Sequence, residues 1–140
     1  MKNDKVAILL KKASLEFDKV ANTIYGEYDL TSSQYKVLKY LYTKDNKTAR
    51  VVDLEKEFSM THPTTLGLIA QLEKKGFTKR VDNPSDGRGK LVALTKKSES
   101  LQKELELLGN DVEKQLTNSL NKKEKEELIY LLRKLMDMPL

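Results

Sequence analysis

Arg88 stands between Gly87 and Gly89 in the stretch at 82–95, DNPSDGRGKLVALT. A guanidinium is a permanently charged fork of donors that matches phosphates and base edges. A solvated surface charge needs no glycine on either side of it. The loop therefore reads either as a plain hairpin turn or as a device that presents Arg88 to a partner. Asp86 is placed to brace the guanidinium or the loop backbone, because a carboxylate facing phosphate would repel it. Other reactive chemistry is sparse. His62 is the single histidine and there is no cysteine, so one chain assembles no histidine metal cluster, no His-centred triad, no disulfide and no thiol switch. No nucleophile motif, phosphate loop or metal-ligand spacing is present, which argues against an enzyme and against a cofactor.

Charge location sharpens this. The net charge is +5. Residues 1–30 hold five basic and five acidic side chains, and residues 96–140 hold nine of each. Residues 31–95 hold twelve basic and seven acidic, so the whole surplus falls in the middle. Such localised charge is either the electrostatic footprint of nucleic-acid binding or a generic basic surface. No apolar run approaches the roughly 18 residues of a membrane span. The N-terminal AILL, flanked by lysines, is too short for a signal peptide. These features read as a cytoplasmic protein.

The elements that position Arg88 follow from periodicity. Residues 4–25 carry Val6, Leu9, Leu10, Ala13, Phe17, Val20, Ala21 and Ile24 at helical spacing. Ile8 and Leu15 form a second apolar line that fits either a partner helix or ordinary core packing. In LTSSQYKVLKYL, Thr31 and Gln34 make a capping box, and Leu30 and Tyr35 are placed as a hydrophobic staple. Val37, Leu38, Leu41 and Tyr42 then face inward. A short helix over about 49–57 turns Val52, Leu54 and Phe58 to the core. A second runs from about Thr61 to Lys75, with Thr61 as N-cap, Pro63 in its first turn and Gly76 ending it. Two short helices about three residues apart are a helix-turn-helix. FTKRV and KLVALT read as the two strands of a hairpin around the Arg88 loop. Thr95 caps a long helix with Leu101, Leu105, Leu108, Val112 and Leu116 on one stripe. Asn121 and Glu124 cap a last helix with Leu128, Leu131, Leu132, Leu135 and Met136.

The expected fold class is mainly α: a winged helix-turn-helix with a small β-hairpin wing. In that arrangement the second helix enters the major groove, and the hairpin tip lies over the backbone or in the minor groove, where an arginine suits the negative potential.

Here the sequence resembles the MarR family of winged helix-turn-helix transcriptional regulators. The resemblance is carried by LTSSQYKVLKYL, LIAQLEKKGFTKR, Asp86-x-Arg88, LVALT and LNKKEKEELIYLLRKL, in that order. It implies a homodimer built by helices at residues 1–30 and 96–140, with a DNA-binding domain at 31–95. It implies a pseudopalindromic double-stranded DNA operator and, often, release by a small aromatic or phenolic ligand bound between the long helices and the winged domain. Carried over residue by residue, Pro63, Thr64 and Gly67 match DNA-contacting positions, and Gln71 lies one turn further on the same face. Thr65, Ile69 and Leu72 should pack inward. Arg88 matches the wing arginine and Asp86 its acidic companion. Lys79, Arg80 and Lys90 flank the wing as phosphate contacts, and His62 is either a phosphate contact or a solvated first-turn residue.

Two departures stand out. Gly67 occupies a position where the family usually has arginine or another polar residue. It costs up to about 1 kcal/mol of helix stability relative to alanine. Ser98 replaces a frequent glycine, with little expected effect. The competing reading is a dimeric winged-helix module that binds protein rather than specific DNA.

Overall fold

The computed structural model describes residues 4–85 and 89–140. The expected fold class holds: the described residues form six α-helices and one small antiparallel sheet. In chain order these are α1 (Val6–Tyr25), a short 3-10 turn (Gly26–Tyr28), α2 (Ser32–Tyr42), β1 (Thr48–Ala49), α3 (Val51–Phe58) and α4 (His62–Lys74). The hairpin strands β2 (Thr78–Asp82) and β3 (Lys90–Leu94), then α5 (Lys96–Leu116) and α6 (Lys122–Leu135), complete the chain.

Local chemistry accounts for the boundaries. The Thr31 hydroxyl accepts the Gln34 N–H at 3.1 Å while the Gln34 side chain accepts the Thr31 N–H at 3.1 Å, so the capping box is complete. Leu30 and Tyr35, the two ends of the expected staple, are both buried in the core. Thr61, Thr95 and Asn121 cap α4, α5 and α6 through their side-chain oxygens. Helix α4 stops where the sequence placed its stop. Gly76 takes φ +83°, the Phe77 N–H donates to the Leu72 carbonyl at 2.9 Å, and the Gly76 N–H donates to the Glu73 carbonyl at 3.0 Å. This is a Schellman ending that uses glycine for its left-handed residue.

The sheet differs from a bare hairpin. Its order is β1-β3-β2, so Thr48 and Ala49 add a third strand that pairs with Ala93 and Val92. Two residues carry no readable alternation, which is why β1 is invisible in sequence and the α3 region reads as continuous. As the central strand, β3 is covered on both faces, and Leu91, Val92, Ala93 and Leu94 are all buried. An inward-outward alternation therefore does not apply to it. Val52 also departs from expectation. It is 38% exposed, and Leu54 alone of α3 is fully buried.

The core is drawn chiefly from α2, α4, β3 and the middle of α5. Leu38, Leu41, Leu54, Ile69, Leu72, Val92 and Leu105 are fully buried within it. Ser98 has a larger role than expected. It is fully buried, its hydroxyl donates to the Phe77 carbonyl, and its own carbonyl accepts the Tyr42 hydroxyl at 2.6 Å. The first turn of α5 is thereby tied to both the wing and α2.

The terminal helices are a different case. In α1 only Val20, Ala21 and Tyr25 are buried, and Val6, Ile8, Leu9, Leu10, Leu15 and Phe17 are exposed. Helix α6 has no buried residue at all. Leu128, Leu131, Leu135 and Met136 lie at helical spacing on its open face.

Candidate nucleic-acid interface

Helix α4 divides its residues as an amphipathic helix must. Thr65, Leu68, Ile69 and Leu72 are buried, whereas His62, Pro63, Thr64, Gly67 and Gln71 are exposed. Pro63, Thr64, Gly67 and Gln71 recur at three- and four-residue steps and share one face, whereas His62 lies round the helix from them, toward α3. Four of the sequence-predicted site residues are thus brought together, and the three expected to pack inward do so. Pro63 fits the first turn because its missing N–H has no intrahelical acceptor to lose. The Thr64 N–H is satisfied by the Thr61 hydroxyl at 3.3 Å, and the Thr61 hydroxyl donates to the Thr64 hydroxyl at 3.0 Å. His62 is oriented by its Nδ1, 2.8 Å from Glu55 Oε2 of α3. Gly67 sits in open space, with nothing within 4 Å of the position a Cβ would take. Its backbone is therefore accessible from solvent.

The strand residues are less uniformly free. Lys79 is exposed at the start of β2. Arg80 donates its Nε–H to Glu73 Oε1 at 2.7 Å, which ties β2 to the solvent edge of α4. Lys90 pairs with Asp82 where the two strands meet the loop. That pairing holds the Asp82 carboxyl below its ordinary pKa. Arg88 and Asp86, the expected tip of the wing, lie outside the described residues. The structure does place the start of the loop: Asn83 Oδ1 accepts the Ser85 N–H at 3.0 Å, and the strands on either side are in register from Thr78–Leu94 to Asp82–Lys90.

A contact that the sequence did not signal joins α4 to α2. Gln34 Nε2 donates to Gln71 Oε1 at 2.9 Å, and Lys75 Nζ donates to Gln34 Oε1 at 2.9 Å. The capping box identifies what Gln34 does to Thr31, but a partner 37 residues away has no local signature.

Behind this surface, a cleft of about 900 Å³ opens between α1, α2 and α5. Tyr25 and Tyr35 form one wall, their rings stacked with centroids 4.3 Å apart and both side chains almost fully buried. Their hydroxyls converge on Gly109, where a Cβ would lie 3.4 Å from the Tyr25 oxygen and 3.9 Å from the Tyr35 oxygen. Neither hydroxyl has a hydrogen-bond partner among the described residues. Burial pushes the Tyr35 phenol up to about 12, helped by Tyr25 and Glu106, and burial also raises Tyr25. Both are therefore neutral donors at physiological pH. At the rim, Ser32 of α2 is tied to α1 twice: its N–H donates to Asn22 Oδ1 at 2.7 Å and its hydroxyl to Asp18 Oδ1 at 3.2 Å. Among the described residues no cluster of His, Asp or Glu suits a metal ion, and no helix is long and apolar enough to cross a membrane.

Comparison with known proteins places this geometry. The MarR family sequence pattern matches residues 30–90. The multiple antibiotic resistance protein MarR of Escherichia coli is 30% identical over 129 residues, which span 91% of this chain and 88% of that protein. A crystal structure of a mutant of that protein complexed with operator DNA superposes with a TM-score of 0.83 at 29% identity, over 93% of this chain and 92% of that one. Bordetella bronchiseptica BpsR, in a structure concerning regulation of its DNA binding by 6-hydroxynicotinic acid, superposes with a TM-score of 0.83 at 25% identity. That match covers 99% of this chain and 98% of the other.

Proposed function

The chain belongs to the MarR family of transcriptional regulators, which are not enzymes, and we propose that it is a cytoplasmic homodimer that binds a pseudopalindromic double-stranded DNA operator and represses from it. The observation that carries this reading is the exposed face of α4. A helix that buries Thr65, Ile69 and Leu72 and leaves Pro63, Thr64, Gly67 and Gln71 in solvent has the form of a helix that enters a major groove. The crystal structure of the E. coli relative complexed with operator DNA supports DNA as the partner.

Within this reading residues 31–95 are the DNA-binding domain, and residues 1–30 and 96–140 form the dimer. Thr64 and Gln71 meet base edges, Pro63 makes apolar contact, and the Gly67 backbone lies close to the duplex. Lys79, Arg80 and Lys90 approach phosphates, Arg80 while retaining its Glu73 pair, and His62 approaches the backbone at the helix start. Arg88 enters the minor groove with Asp86 as its brace. The open apolar face of α6 supports the dimer, because a helix with no buried residue gains no tertiary stabilisation within its own chain.

The cleft is the proposed effector site. Its two neutral tyrosine donors and its apolar wall suit a small aromatic ligand bearing an acceptor, and the regulation of BpsR by 6-hydroxynicotinic acid supports that class. A ligand there releases DNA only through different affinities for the DNA-competent and other arrangements of the two domains. Selection of bound duplexes from a random pool at defined salt tests the function. The expected result is an inverted repeat with half-sites about one turn, roughly 34 Å, apart. Enrichment of no duplex would overturn it in favour of a protein-binding module.

A further inference from the structure

We propose that Gln71 meets the base edge as a hydrogen-bond donor, with its polarity set by Gln34, which makes Gln34 a specificity-determining residue that never touches DNA. The proposal rests on the reading of α4 as the groove-entering helix.

A carboxamide can point its oxygen or its nitrogen either way, and which way must be decided from its partners. Here the partners decide it. One end of the Gln34 amide lies 3.1 Å from the Thr31 backbone nitrogen and 2.9 Å from the Lys75 ammonium. Both groups are obligate donors, so that end is the oxygen. The other end is the NH2, and it faces the Gln71 amide at 2.9 Å. The atom it faces must accept, so the Gln71 oxygen is turned inward to α2 and the Gln71 nitrogen is the end left for a partner outside.

Gln34 is only 4% exposed, so water competes weakly for its hydrogen bonds. Lys75 is held in turn by the Asp29 carbonyl at 2.5 Å, with the Asp29 carboxylate 3.7 Å away. The chain of donors therefore begins in the α1–α2 connection and the capping box and ends on the exposed face of α4.

The consequence is chemical. A glutamine reads adenine by accepting from N6 and donating to N7 at once. A planar amide whose oxygen is turned to Gln34 cannot aim both atoms at one base. Its NH2 instead suits acceptors alone: guanine O6 and N7, thymine O4, or adenine N7 without its N6 amino group. With Gly67 offering no side chain, this donor is one of few groups on the face that can discriminate.

The test exploits Gln34→Glu. Glutamate keeps the capping box and the pairing with Lys75, yet it has no hydrogen to donate. The Gln71 amide must then turn its NH2 inward and its oxygen out. Duplexes are first selected from a random pool with the wild-type chain and with Gln71→Ala, which locates the base pair whose preference depends on Gln71. Single-atom deletions are then placed at that pair: a 7-deazapurine or a thymine lacking its 4-oxygen removes an acceptor. Purine for adenine, or 2-pyrimidinone for cytosine, removes an amino donor. The wild type is expected to lose roughly fivefold in affinity when the acceptor is removed, the worth of about one net hydrogen bond, and nothing when the amino group is removed. Gln34→Glu is expected to reverse that pattern with an unchanged melting temperature, and Gln71→Ala to ignore both deletions. Wild-type sensitivity to the amino deletion, or an unreversed pattern in Gln34→Glu, would overturn the proposal. Identical selection by Gln71→Ala would overturn it while leaving DNA binding intact. Failure to select any duplex would overturn both this proposal and the function it rests on.

Discussion

The winged segment and the terminal helices were built from the same kind of sequence, amphipathic stripes with good caps, and they end in opposite states. From Thr31 to Thr95 the stripes find partners within the chain: Leu38, Leu41, Leu54, Ile69, Leu72 and Val92 are fully buried. In α6 an equally regular stripe, opened by an equally complete capping box, buries nothing. Periodicity therefore reports that a face must be covered, and does not report by what. The charge follows the same division. The basic surplus lies on the winged segment, whose exposed α4 face is polar, and the charge-balanced flanks carry the open apolar surface. The winged segment is closed over its core and presents chemistry, whereas the start of α1 and all of α6 leave apolar faces open.

The contrast is broken most forcefully at α6. Leu131→Glu with Leu135→Glu changes residues that are 58% and 55% exposed in the single chain. On a free surface such changes are nearly neutral. If a second copy covers them, each buries an unpaired charge at a cost of several kcal/mol, and the dimer is expected to dissociate at micromolar concentration while the helical signal of the winged segment persists. Sedimentation equilibrium checks this. Next in size is Leu38→Ala, inside the complete core. It is expected to cost about 2–5 kcal/mol, read as a lower unfolding midpoint of the whole chain.

Ser98→Ala should cost about 1 kcal/mol, one net hydrogen bond, because the hydroxyl that joins α5 to the Phe77 carbonyl is lost. Thermal melting would show a drop of a few degrees, and no change would mean that the contact is idle. In the other direction, Gly67→Ala should raise stability by up to about 1 kcal/mol, since a Cβ at that position meets nothing within 4 Å. It should also change operator affinity, where the added methyl meets the duplex.

The smallest effect is in pH. The Arg50 guanidinium holds the Asp53 carboxyl below its ordinary pKa through a hydrogen bond at the start of α3. A depressed carboxyl stabilises the fold above its unfolded pKa and loses that contribution as pH falls through the folded value. Acid melting below about pH 4 is therefore expected to be slightly less steep in Asp53→Asn. Identical acid profiles would remove Asp53 from the account.

Much of this was legible in the residues because it depends on local chemistry. Thr31, Gln34, Thr61, Gly76, Thr95 and Asn121 each announce a boundary through a cap or a left-handed turn, and all six occur as read. The face of α4 was legible because a 3.6-residue period sorts it. The remainder depends on contacts between distant residues. β1 is two residues long and exists only because β3 offers it an edge. Ser98 looked incidental because its partners, Phe77 and Tyr42, are 21 and 56 residues away. The Gln34–Gln71 bond and the stacked Tyr25–Tyr35 wall likewise join segments with no common local pattern.

The central claim is that the open helices supply a second copy and the closed segment supplies the DNA surface. The mass of the chain bound to a selected duplex tests both at once. Two chains on one duplex are predicted, and cutting the duplex to a single half-site should abolish tight binding. One chain per duplex, with a single half-site sufficient for full affinity, would contradict the account.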